Sequence, residues 1–353
     1  NNYTTNNKNI QINLSPNFQI NQPINLQISK SIKMIYRSKA PLRIGLAGGG
    51  TDVSPYTDMY GGAILNATIS LSAYASIEPN DTGTIIVEAL DRKEQETYNW
   101  MPVLPVNGKL DLLKAVYNRI NRDFQIPATG FRLSTFVDAP AGSGLGTSST
   151  LVVAVLGAFV EMLKLPLGDY DIAHLAYEIE RNDLQLAGGR QDQYAATFGG
   201  VNFMEFYKDD KVIVNPLRIR PQYLHELENN LVLYFTATSR ESATIIREQV
   251  NNVNRQDEKS IEAMHQLKGQ AKMMKEALLK GKLNEFGEIL DFGFSQKRKM
   301  AANISNSNIE EIYAAAKNAG ATGGKISGAG GGGFMIFYCP GNSNYGVKEA
   351  FLR

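Results

Sequence analysis

The chain has 353 residues, enough to bury a substantial core and to form two domains. Lys plus Arg (36) and Asp plus Glu (35) nearly cancel to a formal charge of +1, which argues against a nucleic-acid-binding face or an anionic-membrane surface. A single cysteine, Cys339, excludes an internal disulfide framework. No apolar run reaches the roughly 18 residues of a membrane helix, so a soluble, cytoplasmic protein is expected, with no membrane and no nucleic-acid partner.

Residues 1 to 33 are rich in Asn and Gln and hold no acidic residue. They read as a poorly ordered leader, with Met34 as the natural start. Residues 35–41 have strand character and lead into 42–52, LRIGLAGGGTD, where Arg43 and Asp52 flank a glycine cluster. Residues 61–78 and 84–89 alternate or are β-branched, an antiparallel pattern. Leu112, Leu113, Val116 and Ile120 give helical spacing over 110–124, and 131–137 is a further strand.

That strand runs into Pro140–Thr150, PAGSGLGTSST, followed by an apolar helix-length run from Leu151. Glycines at 142, 144 and 146 exclude a stable helix or strand and let the backbone approach a ligand closely. Thr147, Ser148 and Ser149 are N-cap candidates for the helix that starts there. A glycine loop feeding a helix N-terminus gathers unpaired N–H groups at the positive end of the dipole, the makings of a phosphate cradle. The Gly-Lys-Ser/Thr of the common P-loop is absent, and so is the dinucleotide spacing.

Residues 171–185 form an amphipathic helix bearing Glu178 and Glu180, and 187–193, AGGRQDQ, reads as a loop. A composition shift near 206–225 marks a boundary, with Pro216 and Pro221 interrupting. Residues 231–236 are a strand, and 244–254, 260–280, 284–300 and 309–318 are helices. The stripe Met264, Leu267, Met273, Met274 and Leu278 reads as core. A third glycine loop, 325–334, precedes a strand in which Cys339 is a small buried hydrophobe. The chain ends in the pattern of a new helix, and a closing strand is expected that the sequence does not contain.

The three loops 41–52, 140–150 and 325–334 resemble the three motifs of the kinase superfamily named for galactokinase, homoserine kinase, mevalonate kinase and phosphomevalonate kinase, the GHMP kinases. The resemblance spans about 35–339. Gly49-Gly50 before Thr51-Asp52, where galactokinases carry Glu-His, and the string 61–68, GGAILNAT, look most like the D-glycero-D-manno-heptose 7-phosphate kinases. Fucokinase-type enzymes share parts of the pattern. The resemblance implies an α+β fold: an N-terminal ATP-binding domain like ribosomal protein S5 domain 2 over 34–215, and a ferredoxin-like C-terminal domain over 216–353 that is cut short. It implies ATP-dependent phosphorylation of the anomeric hydroxyl of a sugar phosphate with Mg2+, on the route to GDP-heptose. Other hexose 1-kinases and a non-catalytic sugar sensor stay open as alternatives. A homodimer is compatible with the reading, and the sequence does not fix the oligomeric state.

In that family frame Asp192 matches the catalytic base, and Arg43 would fix Asp192 or the moving phosphoryl group. Pro140, Gly142, Ser143, Gly144, Leu145, Gly146, Thr147, Ser148 and Ser149 would hold ATP, with Gly328, Gly330 and Gly331 packed against them. Glu180 matches the Mg2+ ligand, with Ser148 as a partner and Glu178 as the competitor. Thr51 and Asp52 would bind sugar hydroxyls. A distal phosphate needs cations, for which Arg190, Arg240, Lys297, Arg298 and Lys325 are the candidates.

Overall fold

Strand β2 (Gly62–Asn80) is the spine of a seven-stranded sheet, because its 19 residues are long enough to pair with three neighbours. Its first half pairs with β6 (Val201–Phe206), its second half with β5 (Gly130–Val137), and β1 (Tyr36–Ala47) runs beside most of its length. Beyond β5 lie β3 (Thr84–Ala89), parallel to it, and β4 (Glu94–Asn99); beyond β6 lies β7 (Val212–Pro216). The computed structural model describes residues 34–237 and 242–352, so the leader expected over 1–33 and the candidate Arg240 fall outside the described residues.

Two strands depart from the sequence pattern. β1 does not stop at Pro41 but continues to Ala47, with register shifts at Pro41/Arg43 and Gly45/Ala47. A proline cannot donate to the ladder, and a shift in pairing at that point lets the strand run on. The extension carries Arg43 within the sheet instead of in a loop. The polar sequence of β4 offers no apolar alternation over 94–99; it is an edge strand held by its antiparallel ladder with β3.

Helices α2 (Asp111–Phe124) and α3 (Thr147–Leu163) close one core over this sheet, with Tyr117, Phe131 and Phe159 fully or almost fully buried. The Phe131 and Phe159 rings meet edge to face at 5.7 Å, a favoured aromatic geometry. A second sheet, β8 (Leu231–Phe235), β10 (Phe334–Tyr338) and β9 (Gly323–Ile326), is antiparallel throughout. Helices α8 (Glu258–Lys280) and α9 (Phe286–Lys297) join the two sheets: Met274, Leu278, Phe286 and Leu290 share one core with Leu42, Leu46 and Leu65 of the first sheet and Ile336 of the second. In the α8 stripe Met264, Leu267, Met274 and Leu278 are buried, but Met273 is 53% exposed. Adjacent helical positions are about 100° apart, so Met273 and Met274 cannot both face the core. Residues 34–353 accordingly form one compact unit. No helix among the described residues is long and apolar enough to cross a membrane.

The two glycine loops meet backbone to backbone. The Phe334 N–H donates to the Ser143 carbonyl at 2.8 Å, and the Ser327 hydroxyl to the Gly144 carbonyl at 2.8 Å. Gly144 has φ +77°, and a Cβ there would lie 2.6 Å from the Ser327 carbonyl oxygen. Gly83 also has positive φ, +67°, but a Cβ there would meet nothing within 4 Å. Gly83→Ala should therefore cost only the left-handed backbone penalty of about 1–2 kcal/mol, while Gly144→Ala adds a backbone clash and costs more. Urea denaturation of both variants measures the difference; equal losses would show that the contact between the loops gives way freely.

Candidate active site

A cleft of about 320 Å3 opens between the glycine loop 142–146, the first turn of α3, the loop around Asp52, the segment 180–192 and the end of α9. Gly146 is the N-cap of α3, and no side chain caps the helix. Two of the three hydroxyls expected to cap it are engaged elsewhere. The Ser148 hydroxyl donates to Glu180 Oε1 at 3.0 Å, and the Ser149 hydroxyl accepts from Gln193 Nε2 at 3.1 Å. The first-turn N–H groups of α3 thus face the cleft without a side-chain acceptor, at the positive end of the helix dipole.

Glu180 is buried and also accepts from Gln193 Nε2 at 2.5 Å. Its position follows from a π-helical turn, residues Ile179–Asp183, at the end of α4 (Asp169–Glu178). The wider turn separates the two candidate carboxylates. Glu178 is drawn away to Arg119, at 2.5 Å, while Glu180 faces Ser148. Gln193, which ties Glu180 to Ser149, carried no sequence signal of its own beyond its place after Asp192.

Asp192 does not sit in a loop; it lies in the first turn of α5 (Gln191–Phe198). Arg43, on β1 and almost fully buried, reaches its Oδ1 with both Nε and Nη2 at 2.7 Å, and donates from Nη1 to the Gly144 carbonyl at 2.6 Å. A charge-assisted fork of this kind fixes the carboxylate rigidly and leaves Oδ2 outside it. A Cβ on Gly146 would lie 3.3 Å from that Oδ2, so the carboxylate lies directly against the glycine loop.

Asp52 is 1% exposed. Its Oδ2 accepts from the backbone N–H groups of Arg190 at 2.8 Å and Gln191 at 3.0 Å, while its buried Oδ1 has no partner among the described residues. Burial raises its pKa above the ordinary carboxylate value; the Gln191 N–H opposes this and the charge of Asp192 adds to it. The approach is possible because residue 189 is glycine, where a Cβ would fall 1.9 Å from Asp52 Oδ2. An unsatisfied buried carboxylate oxygen in a cleft suits an O–H donor of a ligand.

Of the residues singled out in the sequence, Arg43, Asp52, Gly142, Gly144, Gly146, Thr147, Ser148, Ser149, Glu180, Asp192 and Gly328 line the cleft together. Others stand elsewhere. Ser143 and Leu145 are buried beneath the loop, Pro140 is exposed before it, and Gly330 and Gly331 pack on Ile304. The Thr51 hydroxyl is wholly buried and bonded to the backbone of Gly48 and Ala63, so it braces the loop instead of facing the cleft. Arg190 is consumed by Asp210 at 2.6 Å, Asp58 at 3.4 Å and the Tyr207 carbonyl at 2.9 Å. Lys325 is buried on the Gly45 carbonyl at 2.6 Å, and Arg298 lies over Phe294 and pairs with Glu310.

Lys297 does line the cleft, buried at the end of α9 with Nζ 2.8 Å from the Gly328 carbonyl. Residues of α7 (Ser242–Asn254), among them Ser242, Arg247 and Gln249, complete the wall. Their polar helix face is indistinguishable in sequence from a solvated one, so no pattern along the chain pointed to them.

The GHMP kinases N terminal domain family model matches residues 111–200, and the GHMP kinases C terminal model matches 274–351. A D-glycero-alpha-D-manno-heptose 7-phosphate kinase from Campylobacter jejuni is 49% identical over 317 residues, 90% of this chain and 93% of that protein. The crystal structure of a D-glycero-D-manno-heptose 1-phosphate kinase from Bacteroides thetaiotaomicron matches with TM-score 0.76 at 48% identity, covering 90% of this chain and 92% of that one. Mevalonate kinase from Methanococcus jannaschii, at TM-score 0.72 and 21% identity over 92% of this chain and 96% of its own, shares the fold. With relatives this similar over nearly their whole length, and with the glycine loops and their packing in place, the chain belongs to the GHMP kinase family and is a sugar kinase, a phosphotransferase.

Proposed function

We propose that the protein transfers the γ-phosphoryl group of ATP to the anomeric hydroxyl of D-glycero-D-manno-heptose 7-phosphate, forming the 1,7-bisphosphate for surface-polysaccharide synthesis. The observation that carries this is the Asp192 carboxylate, held by Arg43 against the phosphate-cradling loop in the same cleft as the unsatisfied Asp52 oxygen. Two heptose kinases among the relatives, 49% and 48% identical, carry names that differ in which phosphate the substrate already bears, and the 7-phosphate is the one the sequence motifs resemble. We take 34–215 as the ATP-binding domain and 216–353 as the second domain, a boundary at the last residue of β7; the second sheet follows it, and α9 and the third glycine loop contribute Lys297 and Gly328 to the cleft.

The glycine loop and the α3 N-terminus hold the nucleotide phosphates through backbone N–H groups. Ser148 and Glu180 offer a hydroxyl and a carboxylate 3.0 Å apart, hard oxygen donors that suit Mg2+ completed by phosphate oxygens, which would neutralise charge on the phosphates. Asp52 accepts from a sugar hydroxyl and orients the ring. Asp192 takes the proton from the anomeric hydroxyl as its oxygen attacks; the new O–P bond forms, the bond to the β-phosphate oxygen breaks, and ADP leaves. An anomeric hydroxyl is more acidic than an ordinary alcohol, so a carboxylate suffices as acceptor. Lys297 and Arg43 supply positive charge beside the moving phosphoryl group.

ADP release with ATP and Mg2+ across heptose 7-phosphate, mannose, fucose and galactose tests the assignment. Turnover confined to heptose 7-phosphate, with Asp192→Asn slower by about 10²–10⁴-fold, is expected. Turnover on a free hexose instead, or an undiminished Asp192→Asn, overturns the substrate or the base respectively.

Lys297 ties this chemistry to stability. Burial lowers its pKa to about 8, with Asp52 opposing the fall and Arg43 adding to it. Below about pH 8 the lysine is charged in both folded and unfolded chains, and the fold carries the full penalty of a buried cation. Between about 8 and 10.5 the unfolded chain holds the proton that the folded chain has released, so stability rises with pH across that window. Lys297→Met should melt higher than wild type at pH 7, by an amount on the order of 1–3 kcal/mol in stability, and the gap should narrow toward pH 10. Calorimetry at both pH values reads this; a gap independent of pH would mean the charge is not the cause. Wild-type kinase activity should fall as pH rises through about 8.

A further inference from the structure

We infer that a second chamber, continuous with the cleft beyond Asp52 and walled by Arg181 and Arg247, is an anion subsite that holds the distal phosphomonoester of the sugar substrate. This rests on the proposed function, since it takes the Asp52–Asp192 side of the cleft as the acceptor site. The chamber has a volume of about 340 Å3, shares Asp52, Arg181 and Arg247 with the cleft, and extends past them to Ser54, Tyr177 and Asn251.

Its two cations are the only ones among the described residues that line this chamber. Arg190 is paired with Asp58 and Asp210 and Arg298 with Glu310, while Lys297 and Lys325 each donate to one backbone carbonyl outside the chamber. Arg247 is exposed on α7 and makes no ion pair or hydrogen bond among the described residues. Arg181 donates only to the carbonyls of Leu186, at 3.3 Å, and Gly189, at 3.2 Å, and its Nε is buried without a partner. Neither guanidinium forms an ion pair among the described residues. On α7, Arg247 and Asn251 are four residues apart and share one helix face, so a fork and an amide line the same wall.

A phosphomonoester dianion fits this set, because guanidinium forks match its oxygens and an Asn amide and Ser hydroxyl add neutral donors. Asp52, the acid that borders the chamber, has one oxygen tied to two backbone N–H groups, while Asp58 and Asp210 are held by Arg190. A sugar with its reacting hydroxyl at Asp192 and a hydroxyl on Asp52 would extend its phosphorylated end into the chamber. An unphosphorylated sugar would leave both guanidiniums unanswered, and this makes the chamber a specificity filter.

The test is the ratio of kcat/KM for heptose 7-phosphate to that for the unphosphorylated heptose, in wild type, Arg247→Ala and Arg247→Lys. Loss of a charge-assisted contact should lower the ratio about 10- to 100-fold in Arg247→Ala, mainly through KM for the phosphorylated sugar, with partial recovery in Arg247→Lys. An unchanged ratio, or a wild-type ratio near one, overturns the subsite while leaving the kinase assignment standing. If wild type turns over neither heptose, the proposed function fails, and calorimetric titration of heptose 7-phosphate into both proteins decides the subsite separately. Weaker binding to Arg247→Ala then supports it, and equal binding overturns it.

Discussion

The Arg43 guanidinium joins three parts of the chain that are distant in sequence: its own strand β1, the glycine loop through the Gly144 carbonyl, and α5 through Asp192. A nearly buried cation of this kind is tolerable only with its partners in place. Asp192 keeps about a quarter of its side chain exposed, so the pair is desolvated on one side and open to the cleft on the other. Removing the carboxylate would strand the guanidinium, whereas an amide at the same position still offers an oxygen to it. The clamp therefore fixes both the shape of the phosphate loop and the carboxylate beside it, and each depends on the other.

Around this clamp the site collects polar groups that the fold must bury at a cost. Asp52 holds one unsatisfied oxygen, Lys297 is buried with a depressed pKa, and burial drives Lys325 well below its ordinary value, with Lys297 and Arg43 adding to the fall. These costs are offset by apolar packing on either side: the Tyr117–Phe131–Phe159 cluster under α3 and the α8–α9 core that spans both sheets. The division places apolar packing directly beneath the polar site. The glycine loops approach closely enough for the Phe334 N–H and the Ser327 hydroxyl to reach carbonyls of the other loop, and Arg43 and Lys297 donate further bonds to loop carbonyls.

The large elements and the loops that matter are legible along the chain. Glycine spacing marked all three loops because only that composition lets backbones approach so closely; apolar periodicity marked α2 and α8 because a buried helix face must repeat near every 3.6 residues, and a continuous apolar run marked α3. The sequence also named Arg43, Asp52, Glu180 and Asp192, which the fold brings to one cleft. Tertiary structure alone decided which polar groups are already spent. Thr51 is bound to backbone, Arg190 to Asp58 and Asp210, and Glu178 to Arg119, while Glu180 is turned inward by a π-helical turn that no pattern signals. Among the described residues Arg181 and Arg247 form no ion pair, yet in sequence they look like ordinary surface arginines. The reason is physical: backbone propensity and apolar periodicity are local and can be read along the chain, but whether a charge is paired depends on residues a hundred or more positions away, as with the 149 that separate Arg43 from Asp192.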